Sequence, residues 1–197
     1  MFAVRPVGHV IGWMVIALGV AMLPPFLVDF FNDNSPWVFL ASAAVTILIG
    51  GFTVLATANG VATRLSIQQT FLLTTGVWVV LPVFGAVPFV LGATDSSYTD
   101  GFFEAMSGLT TTGSTVFSGL DQLPQGLLLW RGLLQWIGGI GIIVVAMVFL
   151  PELRVGGMQV FRTEGFDTMG KILPRATQIS SSISSIYLGL TLACMLA

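Results

Sequence analysis

Residues 107–116 read SGLTTTGSTV. Between positions 110 and 114 this stretch sets four hydroxyl side chains, Thr110, Thr111, Thr112 and Ser114, around a single glycine, Gly113, directly after a short apolar segment of helical composition. A polar patch of this kind in an oily chain is either punctuation at a helix end or part of a route for something polar. The surrounding sequence has to decide.

Those surroundings belong in a bilayer. Hydrophobic residues make up 55% of the 197 residues and charged ones 8%, whereas soluble domains carry roughly a quarter charged residues. The net charge of -2 says less than where the charges fall, and nothing points to a nucleic-acid partner. The single cysteine, Cys194, excludes an internal disulfide and supplies no pair of metal ligands; its expected place is a buried apolar site.

Four apolar stretches are long enough to span a hydrocarbon core, which takes about 20 helical residues: 10–31, 38–58, 71–91 and 125–150. A fifth begins near 177–179 and is still apolar at Ala197. The first lacks a small-residue cleavage pattern and is too long for a signal-peptide core, so it reads as a permanent helix. Arg5, Arg64, Arg154, Arg162, Lys171 and Arg175 all fall on one side of these spans, which the positive-inside rule makes cytoplasmic. Asp29, Asp33, Asp95, Asp100, Glu104 and Asp121 fall on the other, and the N-terminus is then inside.

Between the third and fourth spans, residues 99–109 read as a helix capped by Ser97, Thr99 or Asp100. A helix of that length reaches only about 15 Å, half of a membrane. Because both neighbouring spans fix its ends on the outer side, the segment must dip in and return, with 110–124 as the returning limb. Extended backbone at membrane depth is tolerated where it is buried or lines a polar pathway. Gly113 supplies dihedrals that turn neighbouring carbonyls the same way, as in a potassium filter. The plainer alternative is a Ser/Thr-rich outer loop behind an interfacial helix.

The stretches FFEAMSGLTTTGSTV and LLLWRGLLQWIGGIGIIVVAMVFLPELRVGGMQVFRTE resemble the first repeat of the Trk/Ktr/HKT superfamily of potassium and sodium transporters, nearest to bacterial TrkH-type potassium uptake subunits. The resemblance covers nearly the whole chain. It implies an all-α membrane protein: two peripheral transmembrane helices (1–62), then a helix, pore helix, filter and helix repeat of potassium-channel-like fold (63–152), a cytoplasmic loop (153–176) and the first helix of a second repeat (177–197). It further implies that the carbonyls of Thr111, Thr112 and Gly113 bind potassium, with Thr110 and Ser114 at the filter edges. Sodium is the alternative ion, and no organic cofactor is implied.

The family's fourfold pseudosymmetry is built from four repeats in one polypeptide, and only one filter-like segment is present here. The chain is therefore expected to be a fragment or truncated form, whose partners are the bilayer, the remaining repeats, a cytosolic nucleotide-binding ring of the TrkA type and a second copy in a homodimer. Its expected location is the bacterial inner membrane. Assembly of several copies is the lesser alternative, because the two extra helices would crowd a homotetramer. The rival functions are a non-conducting structural fragment and a secondary transporter with a re-entrant hairpin, though no inverted partner for the hairpin is visible. No intramembrane carboxylate pair, histidine cluster or Ser/His/Asp set favours an enzyme.

Other positions carry two readings each. Arg131 either pairs with Glu104 behind the filter or snorkels to the outer interface. Gly138, Gly139 and Gly141 mark close packing rather than a gating hinge. Pro24 with Pro25, and Pro82 with Pro88, are expected to kink their helices. His9 reads as an interfacial residue without a nearby partner, and the five tryptophans suit interfacial belts or packing.

Overall fold

The computed structural model describes residues 4–60, 65–92, 94–149 and 169–196. Among these every regular element is helical: α1 (Arg5–Val20), α2 (Leu23–Phe31), α3 (Trp37–Thr57), α4 (Ile67–Gly85), α5 (Val87–Leu91), α6 (Tyr98–Leu109), α7 (Gln125–Phe149) and α8 (Met169–Leu196). Arg64, Arg154, Arg162 and most of the expected cytoplasmic loop lie outside the described residues. α8 starts at Met169, earlier than the expected 177. The chain divides into two units, Met1–Gly138 and Gly139–Ala197.

Three helical spans among the described residues are long and apolar enough to cross a membrane: Arg5–Phe31, Trp37–Thr57 and Gln68–Leu91. α7 has 25 residues, a length of about 37 Å. The first and third spans are each broken by proline, as the sequence predicts. Pro24 and Pro25 lack the N–H groups that would bond to Val20 and Ala21, so α1 ends in a tight turn closed by Met22 N–H to the Gly19 carbonyl (3.2 Å) before α2 resumes. In the third span Pro88 cannot donate to Phe84, and Phe89 N–H moves to the Ala86 carbonyl (3.0 Å). That shift frees the Gly85 carbonyl, which the buried Trp130 indole N–H caps at 3.0 Å.

α1 packs along α3 with backbone close to backbone. A Cβ on Gly50 would lie 2.9 Å from the Gly12 carbonyl oxygen and 3.0 Å from Ile16 N, so only glycine admits this approach. The core of the first unit gathers Met22, Phe39, Leu81, Phe89, Ala105, Leu109, Leu127, Leu134 and Trp130. Phe39 meets Trp130 edge-on, ring centres 6.4 Å apart. Trp130 is therefore core, while Trp13 and Trp37 are exposed and suit a belt. α2 joins α7 as well: the buried Asp29 carboxylate accepts from Gly126 N–H at 2.8 Å, an N-terminal cap supplied from another helix.

In the second unit, Gly139 lets the Tyr187 hydroxyl approach to 2.9 Å of where a Cβ would stand. Cys194 is exposed, contrary to the expected buried site. It lies on α8 near the exposed Leu190, Leu192 and Met195.

Candidate ion-binding site

α6 begins with a reciprocal cap: Asp100 N–H donates to Ser97 Oγ (3.3 Å) and Ser97 N–H to Asp100 Oδ2 (3.1 Å). Of the three expected caps, Ser97 holds the position. The helix presents an apolar side to the core through Ala105 and Leu109, and two buried polar residues one turn apart, Glu104 and Ser107, to the limb that follows.

The end of α6 is set by three backbone bonds. Thr110 N–H donates to Met106 O (2.8 Å), Thr111 N–H to Gly108 O (2.9 Å) and Thr112 N–H to Ser107 O (3.0 Å). The last two form a Schellman closure, whose turning residue needs a left-handed backbone. Thr111 fills that place at φ 55°, where glycine is usual and a β-branched residue is a true outlier. Gly113 follows at φ 77°, with open space around it. Two left-handed residues with one between them keep the limb out of both helix and strand.

Hydroxyl accounting fixes the threonines. Thr110 Oγ1 donates to Met106 O (2.8 Å), so in its 2.8 Å contact with Thr112 it is the acceptor and Thr112 the donor. Beyond Gly113 the limb is tied back to α6. Ser107 Oγ donates to the Ser114 carbonyl (2.7 Å), and one Glu104 oxygen accepts from both the Thr115 hydroxyl and Val116 N–H (2.6 Å). Thr115 Oγ1 accepts in turn from Phe117 N–H (3.0 Å), and the Phe117 ring packs on Phe89 with centres 5.7 Å apart.

The other Glu104 oxygen accepts from Arg131 Nε on α7 at 3.0 Å, with the Glu104 side chain 1% exposed and that of Arg131 16%. Of the two readings open for Arg131, the structure therefore takes the pairing. α7 also comes against the end of α6. A Cβ on Gly138 would overlap the Leu109 carbonyl group, and one on Gly108 would lie 2.9 Å from Leu134 Cβ. Gly138 is thus a packing residue, while Gly141 borders open space.

What remains between the two fastened ends is a run of four carbonyls. Capping consumes those of Met106, Ser107 and Gly108, and Ser107 takes that of Ser114, but among the described residues none of the Thr110, Thr111, Thr112 and Gly113 carbonyls accepts a hydrogen bond. Residues 111–116 are exposed. Neutral oxygens of this kind suit a hard cation. No group of three or more His, Cys, Asp or Glu side chains among the described residues is placed to hold a metal. His9 has the partner it was not expected to have, since Trp13 Nε1 donates to its Nε2 at 3.3 Å.

The sequence brought 110–114 to notice but missed Ser107, Thr115 and Val116 as fastening points. A signal for Ser107 was present: a serine three residues after a glutamate, both on one side of an otherwise apolar short helix.

Comparison with known proteins places the chain in a family. A model of the TrkH family, described as a cation transport protein, matches residues 35–197. The Trk system potassium uptake protein TrkI of Halomonas elongata is 39% identical over 185 residues, 94% of this chain and 37% of that protein. TrkH of Escherichia coli K12, also a Trk system potassium uptake protein, is 38% identical over 197 residues, 98% of this chain and 41% of that protein. The crystal structure of the potassium transporter TrkH from Vibrio parahaemolyticus superposes with a TM-score of 0.79 at 34% identity, covering 96% of this chain and 38% of the other. The chain thus spans about two fifths of the length of the relatives it matches. Its all-helical fold and its spans are those of a membrane protein, and it belongs to the TrkH family of cation transport proteins.

Proposed function

We propose that the chain is part of a potassium uptake system of the bacterial inner membrane and supplies one of four selectivity-filter segments. In this reading α6 is the pore helix and 110–114 the filter, with the carbonyls of Thr111, Thr112 and Gly113 facing the ion and Thr110 and Ser114 at the edges. The observation that carries it is the run of four unbonded carbonyls, Thr110 to Gly113, held between a capped helix end and a tied-back limb. Carbonyl oxygens substitute for the hydration shell of the ion, and fixing both ends of the limb reduces the ordering that ion binding would otherwise require.

One limb offers each ion one or two oxygens, so a ring needs segments from further repeats. α8 is then the first helix of the next repeat, the N-terminus is cytoplasmic, and a cytosolic nucleotide-binding ring would dock on that cytoplasmic side. A homodimer is the proposed state of the complete protein.

The test is at Gly113. Its φ of 77° is closed to most side chains. In the complete protein, expressed in a bacterial strain lacking its own potassium uptake, Gly113→Asp is expected to abolish growth on low potassium, and Gly113→Ser to admit sodium. Wild-type potassium preference in the serine variant would remove the filter role from this segment.

A further inference from the structure

Glu104 does two separate jobs with its two oxygens. One accepts Thr115 Oγ1–H and Val116 N–H, which is what returns the limb beside α6; the other is taken by Arg131 Nε at 3.0 Å. With its side chain 1% exposed, Glu104 has no access to water to balance its charge. A carboxylate in such a place turns toward other donors when it loses its counter-charge. Its limb-facing oxygen is then no longer held in line, and Thr115 and Val116 lose the anchor that, beside the Ser107 bond to Ser114, fixes the end of the carbonyl run. Arg131 reaches Glu104 through a planar guanidinium, which fixes direction as well as charge.

We infer that Arg131 is a positioning residue for ion selectivity: by orienting the Glu104 carboxylate from α7, it holds Val116 and Thr115, and through them the alignment of the Thr110 to Gly113 carbonyls. This rests on the reading of 110–114 as a filter segment. It extends that reading to a residue whose ion pair is with α6 rather than with the limb, and it makes the junction of α7 with α6 part of the selectivity device.

The ion pair and the limb bonds make opposite demands that a double substitution can separate. Arg131→Met strands a buried carboxylate. Glu104→Gln keeps a carbonyl oxygen able to accept from Val116 N–H but turns an amide NH₂ toward Arg131. The double variant Glu104→Gln with Arg131→Met removes both charges and keeps the acceptor, and replacing both partners of a buried pair costs less than removing one.

The experiment is competitive rubidium and sodium uptake in cells expressing the complete protein, with membrane levels measured alongside and Gly113→Ser as reference. Arg131→Met is expected to lower the rubidium-to-sodium ratio by about tenfold, the equivalent of about 1.4 kcal/mol, and to raise KM for rubidium more than it lowers the maximal rate. Arg131→Lys should retain part of the preference, and the double variant should be closer to wild type than either single one. If Arg131→Met does not accumulate, the lysine and double variants decide by the same ratios. Wild-type ratios in Arg131→Met, or a double variant no better than the worse single one, overturn the inference. A Gly113→Ser variant with unchanged selectivity would instead overturn the filter reading beneath it.

Discussion

Thr111 sits in the left-handed region at φ 55°, at the turn where helices ordinarily place glycine. For a residue with a Cβ this region costs roughly 1–2 kcal/mol, and strain of this kind persists where the surroundings impose it and function uses it. Thr111→Gly removes the steric cost and adds freedom to the unfolded chain, which offsets part of the gain. The variant is expected to be up to about 1 kcal/mol more stable, seen as a higher thermal midpoint in detergent. If 110–114 is a filter segment, it should also be less selective for potassium, because glycine leaves the Thr111 carbonyl free to turn away. A variant that gains stability and keeps full selectivity would mean that the threonine is only tolerated there.

At the scale of elements, the break in the third span frees a backbone carbonyl that fastens that span to α7. Pro88 frees the Gly85 carbonyl, which accepts from the Trp130 indole N–H inside the core, tying α4 to α7 next to the Glu104–Arg131 junction. Trp130→Phe keeps an aromatic ring but leaves that buried acceptor unpaired, a loss of about 1–3 kcal/mol. A lower midpoint of thermal unfolding is expected, and an unchanged one would show that the carbonyl had found another donor. The helices themselves were legible in the sequence, since long apolar runs bounded by Asp33, Thr94 or Pro124 leave little choice of length. The fastening was not. Asp29 to Gly126, Trp130 to Gly85 and Arg131 to Glu104 join residues far apart in the chain, and only the folded arrangement selects these partners. Arg131 illustrates the limit: snorkelling and pairing both satisfy its sequence position equally, and the presence of Glu104 within 3.0 Å separates them.

For the molecule as a whole, the exposed stretch 111–116 and the exposed apolar residues of α8 pose one question: what covers them. Unbonded carbonyls at membrane depth are costly unless other protein or a water-filled path lies against them. If this chain provides a quarter of each ion site, its limb completes a ring only with limbs of further repeats, and the chain by itself has no closed pathway. Purified and reconstituted into liposomes, the 197-residue chain is then expected to give no potassium flux above that of empty vesicles. Uncovered carbonyls should also drive it to associate through that face. Cysteines introduced at Ser118, on the limb, should therefore cross-link between copies more readily than cysteines at Trp37, which lies at the start of α3 and is 71% exposed. Equal linking at the two positions would argue against association through the limb. Selective potassium flux from a defined tetramer would show instead that four copies supply the four limbs, and the peripheral α1 to α3 helices would have to fit around a fourfold axis.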